Sequence, residues 1–323
     1  MRLNHIYQTT PHLQELQIEI TANKKALSLL PQNPEQIASL RHISLLHSGL
    51  YSARIEGNPL TPATFPHTKN KLAKLEVSNL TSTLSHIFSH PTTLSLPLIR
   101  NLHKQALHNL HSDAGQFRTE MSAIYNSAGI AVYLTPPPEE IIPTLTQMIK
   151  TYVSSQNPLL SAMIFHYQFE KLHPFVDGNG RVGRLLLSQA LFTHSYSLNG
   201  TITLDQQIEA RRSGYYDTLA RENKDLTPFL EYMLECLLTS QNLALKSLVS
   251  STPNSTHMLS PRRAELLETI RDHAPCSFDF LHRRFYAVKP STLHYDLQQL
   301  EKKGLIHKLG TTRGALYSDL APE

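Results

Sequence analysis

The chain has 323 residues, 40% of them hydrophobic and 17% charged, which excludes a disordered protein and predicts two or three cores rather than one. The formal net charge of +4, from 30 basic and 26 acidic side chains, is too mild to require a polyanionic partner. The two cysteines, Cys236 and Cys276, exclude a disulfide framework or a thiolate zinc site, and no signal-like stretch or run of about 18 apolar residues occurs. A cytoplasmic protein with no membrane segment is expected, or one exported without an N-terminal signal.

Most of the first 250 residues carry apolar side chains at intervals of three and four, as in 40–47 and 98–107, and predict an all-α body. Segment 122–134 departs from this. Ala123 and Tyr125, then Ile130, Val132 and Leu134, flank Asn126-Ser127-Ala128-Gly129 and predict a short hairpin. Pro136, Pro137 and Pro138 stop it, and Glu139 with Glu140 opens the next helix. Residues 162–169 read as a buried helix that enters a loop at 173–184, and 185–192 as one that leaves it. A polar stretch at 250–257 has the composition of a linker. Beyond it, helices are predicted over 262–272, 278–285 and 291–303, followed by a Gly-tipped hairpin from 304–310 and 315–318. That is the outline of a winged helix, an α+β unit. The expected organisation is a helical region at 1–94, a core at 95–240, a helix end and linker at 241–258, and a winged-helix-like domain at 259–323.

The loop reads His173-Pro174-Phe175-Val176-Asp177-Gly178-Asn179-Gly180-Arg181-Val182-Gly183-Arg184. Gly178, Asn179 and Gly180 stand at the start of a helix, where backbone N–H groups and the positive end of the helix dipole form an anion site. Arg181 and Arg184 are three apart, so their guanidinium groups share a face and can fork onto phosphate oxygens. Asp177 offers a hard oxygen ligand of the kind magnesium takes beside phosphates. His173 is a base that works near neutral pH. Gly178 to Gly183 also satisfies G-x-G-x-x-G, but a dinucleotide fingerprint follows a β-strand, and here a helical segment and a proline precede it. His103, His108 and His111 recur at helical spacing, yet among 18 histidines such a cluster reads as chance rather than a metal site.

At every specified position the loop satisfies H-P-F-x-[DE]-G-N-[GK]-R-x-x-R, the signature of the Fic family. The chain resembles that family over roughly 95–240, with Gly115-Gln116-Phe117-Arg118, the run from Tyr133 to Pro138, and Tyr215, Tyr216 and Asn223 as further landmarks. It has no tryptophan, although relatives often carry one near Pro228-Phe229; nothing catalytic depends on it. The resemblance implies an all-α Fic fold with a hairpin flap, and a protein adenylyltransferase that moves AMP from ATP to Tyr, Thr or Ser hydroxyls of a target protein and of itself. His173 would take the hydroxyl proton and Asp177 would bind Mg²⁺. Gly178, Asn179 and Gly180 would cradle the α- and β-phosphates, Arg181 the β-phosphate and Arg184 the γ-phosphate, with Val182 and Gly183 completing the nucleotide-binding run. Phe175 would anchor the loop. Ala131, Val132, Tyr133 and Leu134 would align the target segment by strand addition. Tyr215, Tyr216 and Asn223 would line the adenine and ribose pocket, core packing being the other reading of the two tyrosines.

Upstream, Ser52-Ala53-Arg54-Ile55-Glu56-Gly57-Asn58 resembles the inhibitory element [ST]-x-x-x-E-[GN] of Fic proteins that carry their own brake. The resemblance implies that Ser52, Glu56 and Asn58 belong to that brake. A carboxylate delivered to the site would pair with Arg184 and remove the cation the γ-phosphate needs. It also allows Glu56 to position water for removal of AMP.

The tail, 259–323, holds ten Lys or Arg against eight Asp or Glu, a net +2 that is small for a DNA-binding domain. Its candidate recognition helix, 291–300, has few cations, although Lys302, Lys303, Lys308 and Arg313 could reach a phosphate backbone. DNA binding, protein interaction or homodimerisation, and simple stabilisation all stay open for it. Two other readings of the whole chain stand beside AMP transfer: transfer of a different phosphate-containing group, and a DNA-binding regulator that uses the Fic body as a nucleotide sensor. Intact Gly180 and Arg184 speak against the first and intact His173 against the second.

Overall fold

A computed structural model describes residues 6–30, 34–125, 131–220, 225–249, 259–310 and 315–319. The expected hairpin turn at 126–129, Ile130, the linker at 250–257 and Arg313 lie outside them. The chain divides into two units, one of Met1–Pro31 and Ile43–Ser247, the other of Gln32–His42 and Leu248–Glu323.

The helices before the hairpin are α1 (Pro11–Leu29), α2 (Pro34–Ile55), α3 (Lys71–Ser89) and α4 (Leu96–Ala106). The hairpin is β1 (Ala123–Tyr125) and β2 (Ala131–Leu134), and α5 (Ile141–Val153), α6 (Pro158–Leu172), α7 (Asn179–Thr193), α8 (Leu204–Ala210), α9 (Arg212–Ala220) and α10 (Thr227–Val249) follow. Several starts share one local device, a polar side chain that caps an N–H two to three residues on, with proline in the first turn. Thr10 does this for Leu13, Ser95 for Leu98 and Asn157 for Leu160.

Helices α6 and α7 form the centre of the first unit, with α5 against α6 and α3 and α4 against α7. Nearly all of α6 is buried, so it shows no polar face, as expected of a helix enclosed on all sides. One apolar cluster runs from Leu50 on α2 through Val77 and Leu80 on α3 and Leu102 on α4 to Phe169 on α6 and Val182 on α7. The α2 end and the loop at 173–184 are therefore set on one packed frame. No helix among the described residues is long and apolar enough to cross a membrane.

The second unit contains α11 (Pro261–His273), β3 (Cys276–Ser277), α12 (Phe278–Arg284), α13 (Pro290–Lys302), β4 (Ile306–Leu309) and β5 (Leu316–Asp319). Its sheet is antiparallel in the order β3-β5-β4, over a core that includes Leu266, Ile270, Leu281, Leu293, Leu297 and Tyr317. The expected hairpin strands are present, and β3 adds a third; two residues are too few to show a period. Asp296, fully buried on α13, accepts from Nε of both Arg262 and Arg263. Two of the unit's cations thus answer a carboxylate inside it.

Candidate functional site

The loop joins the C-terminus of α6 to the N-terminus of α7. His173 closes α6 in the left-handed region, at φ 49°, with its N–H donating to Phe169 O at 3.0 Å. Its ring Nδ1 is 3.2 Å from Glu170 O, an arrangement that places the proton on Nδ1 and leaves Nε2 as acceptor. Burial pulls the imidazole pKa down, against the Glu170 carbonyl and the Glu56 charge, so the ring is neutral near pH 7.

Phe175 is fully buried and stacks on His103 at 3.7 Å between centroids. Gly115 N–H donates to His103 Nδ1 at 2.7 Å, so His103 Nε2–H donates to Asp177 O at 3.0 Å. Both ring nitrogens are therefore taken, and no group of three metal-ligating side chains occurs among the described residues. Asn179 is tied to Phe175 as well, accepting from its N–H at 2.9 Å and donating to its O at 2.8 Å. Its side chain thus braces the loop, where the sequence placed it among the phosphate ligands.

Gly178 caps α7 at φ 79°, where a Cβ would meet Leu107 at 2.7 Å. The first intrahelical bond runs from Val182 N–H to Gly178 O, which leaves the N–H groups of Asn179, Gly180 and Arg181 at the open end of α7. Val182 points into the core. Gly183 faces α6, where a Cβ would lie 2.2 Å from Glu170 Oε1 and 3.1 Å from His166 Nδ1. Burial pushes Glu170 up to about 8 and His166 down to about 3, so both are neutral behind the loop at pH 7.

Each loop cation is met by carboxylates. Arg181 reaches Glu76 on α3 and, at 2.8 Å, Asp177 Oδ1, which also accepts from Gly178 N–H. Burial pushes the Asp177 carboxyl up, but Arg181 and the Gly178 N–H outweigh it and hold the pKa below its ordinary value. Arg184, 3% exposed, donates from Nη2 to Glu56 Oε1 and to Ser52 O, and from Nε to Ser52 Oγ, all at 2.9 Å. The Glu56 carboxylate lies over Gly180, where a Cβ would sit 2.3 Å from Oε1. Gly57, at φ 100°, ends α2 directly after Glu56, with Gly57 N–H on Arg54 O and Asn58 N–H on Ala53 O. Asn58 does not touch Arg184; it donates to Ala73 O and Glu76 and so ties this turn to α3.

Tyr215 is buried with its hydroxyl 2.9 Å from His166 Nε2, a core position. Tyr216 is 40% exposed and donates to Ile55 O at 3.2 Å. Asn223 lies outside the described residues, as does the side chain of Val132. In the hairpin, Ala123 pairs with Leu134 and Ile124 with Tyr133, Leu134 is exposed, and Lys171 Nζ lies 4.5 Å from the Tyr133 ring centroid. Among the described residues the sheet has two strands, so β2 keeps an open edge.

The sequence reading missed Glu76, Asp205 and the work of Arg118. Arg118 is 4% exposed and donates to the carbonyls of His173 (2.8 Å), Glu120 (2.8 Å), Leu172 and Pro136, clamping the loop to the foot of the hairpin. Arg118→Ala would leave buried carbonyls unpaired and is expected to lower stability by about 3 kcal/mol. The urea unfolding midpoint measures it, and an unchanged midpoint would contradict the clamp.

The Fic/DOC family model matches residues 93–191. The chain is 27% identical over 198 residues to the protein adenylyltransferase Fic of Drosophila virilis, covering 58% of this chain and 38% of that protein. To its Drosophila melanogaster counterpart it is 28% identical over 179 residues, 53% of this chain and 34% of the relative. The chain thus spans little more than a third of the length of these curated relatives. Among solved structures it is similar to a Fic family protein of Desulfovibrio desulfuricans G20, with TM-score 0.68 and 21% identity over 98% of both chains. It is also similar to Fic-1 of C. elegans, with TM-score 0.60 and 21% identity over 74% of both. These structural likenesses establish the fold.

Proposed function

We propose, from the premise that residues 93–191 form a Fic domain, that the protein transfers AMP from ATP to Tyr, Thr or Ser hydroxyls of a target protein and of itself, and that Glu56 restrains it. The observation that carries this reading is the anion site at the start of α7. It combines a helix N-terminus, a buried Arg184 and a neutral His173, and the chain's own Glu56 carboxylate sits on it at 2.9 Å from Arg184.

When Glu56 withdraws, the triphosphate takes its place. The N–H groups of Asn179 and Gly180 receive the α- and β-phosphates, Arg181 the β-phosphate and Arg184 the γ-phosphate. His173 Nε2 accepts the proton of the attacking hydroxyl as its oxygen bonds to the α-phosphorus. The bond from that phosphorus to the bridging oxygen breaks, and pyrophosphate leaves. The open edge of β2 holds the target segment by strand addition. Asp177, half exposed with one oxygen engaged, fits a magnesium ion held mainly by phosphates, which would offset their charge.

The lowered pKa of His173 sets the acid side of the rate profile. The base is active when neutral, and a pKa below the ordinary value keeps it neutral to lower pH. AMP incorporation by a Glu56→Gly variant, which also loses a charge that raises this pKa, is expected to fall only below about pH 6.5. Initial rates across pH test it, and an acid inflection above that value would contradict it. The reading as a whole is tested by incubating this variant with α-labelled ATP, which should label the protein.

A further inference from the structure

Arg184 is flanked by a second carboxylate of a different kind from Glu56. Asp205 stands in the first turn of α8 with its side chain 6% exposed, against 32% for Glu56. Its Oδ1 lies 3.4 Å from Arg184 Nε, the same nitrogen that donates to the Ser52 hydroxyl. Ser52 Oγ accepts from Nε at 2.9 Å, so that one nitrogen has both a hydroxyl hydrogen bond and a carboxylate within ion-pair range. The guanidinium therefore has two unlike edges. Its Nη2 meets Glu56 at the end of α2, where a third of that side chain is already in water. Its Nε faces Ser52 and Asp205, which are enclosed. Its Nη1 is buried with no hydrogen-bond partner and lies 3.1 Å from where a Cβ of Gly180 would sit.

An anion that replaces Glu56 at Nη2 and Nη1 meets a guanidinium still fixed at Nε. Without that fixing the long side chain would have to give up its rotamer freedom on each binding event. We infer that Asp205, together with the Ser52 hydroxyl, is a positioning residue that holds Arg184 at Nε with its Nη edge toward the terminal phosphate of the nucleotide. This rests on the proposed role of Arg184 at the γ-phosphate. Ser52 then serves the released enzyme as well as the restrained one, whereas Glu56 serves only the restrained one.

The test is a binding measurement that needs no turnover. In the full chain carrying Glu56→Gly and His173→Ala, Kd values for ATP and for ADP are measured by calorimetry in the presence of Mg²⁺. The parent is expected to prefer ATP. Adding Asp205→Asn is expected to reduce that preference about tenfold, some 1.4 kcal/mol, while the ADP value moves little, because ADP lacks the terminal phosphate that Arg184 meets. Ser52→Ala, a smaller change should the Asp205 variant fail to fold, is expected to do the same, and Ser52→Thr to restore the preference by restoring the hydroxyl. A purely structural role would weaken both nucleotides alike. If the parent prefers ATP and the Asp205→Asn and Ser52→Ala derivatives keep or enlarge that preference, the inference is overturned alone. If the parent binds ATP no better than ADP, the γ-phosphate role of Arg184 fails first and the inference with it.

Discussion

Glu56→Gly is expected to raise AMP incorporation about 10- to 100-fold over the unsubstituted chain. The bond it removes is charge-assisted and sits over a buried cation, so it is worth about 1.5–3 kcal/mol, and each 1.4 kcal/mol is a factor of ten. The substitution also ends the competition for space above Gly180, where the carboxylate lies closer than any added Cβ would allow. Glu56 lies just past the last residue of α2, so glycine there costs the helix itself little. Glu56→Gln isolates the charge. It keeps the helix and the shape of the side chain but offers Arg184 only a neutral acceptor, so its rate should fall between those of the other two. Labelled-ATP incorporation measures all three, and equal rates would end the brake account.

His173→Ala in the released background should lower the rate by about 10²–10⁴, the usual contribution of a positioned general base. ATP affinity should barely change, because the phosphate contacts proposed above lie on α7 and its two arginines. The fold should persist too: His173 sits at φ 49°, and alanine meets the same backbone demand as any other side chain with a Cβ. The loop's ties to Phe175 run through Asn179 and its ties to the hairpin foot through Arg118, and neither uses the imidazole. A variant that binds ATP normally yet retains a rate within tenfold of its parent would remove His173 from the proton transfer.

The parts of this site that could be read from the sequence are those whose logic is local. Residues 173–184 are contiguous, and each residue type answers a need of the next few positions: glycines at a helix start, arginines one turn apart, a carboxylate beside them. Glu56 was readable only through the resemblance of the run from Ser52 to Asn58 to the inhibitory element. Its partner Arg184 lies 128 positions away and was reachable only through resemblance. The contacts that escaped have no such handle. Glu76 on α3 reaches Arg181, and Asp205 on α8 approaches Arg184, because of how helices pack, and a lone carboxylate in a helix looks alike whether it faces solvent or a guanidinium. The bracing role of the Asn179 side chain escaped for a related reason. An asparagine at a helix start suggests a ligand contact, but its two hydrogen bonds to Phe175 close a loop that had to be held before any ligand arrived. Tyr215 was ambiguous in the sequence, and its burial against His166 follows from the position of α9 in the packed unit, which periodicity does not fix.

Intact mass after incubation with ATP and Mg²⁺ tests the central claim most directly, using the full chain, its Glu56→Gly variant, and the Glu56→Gly/His173→Ala double variant. The account predicts a gain of one AMP on the Glu56→Gly protein, little on the unsubstituted chain, and none on the double variant. A gain of phosphate alone, or an AMP adduct that survives loss of His173, would contradict it.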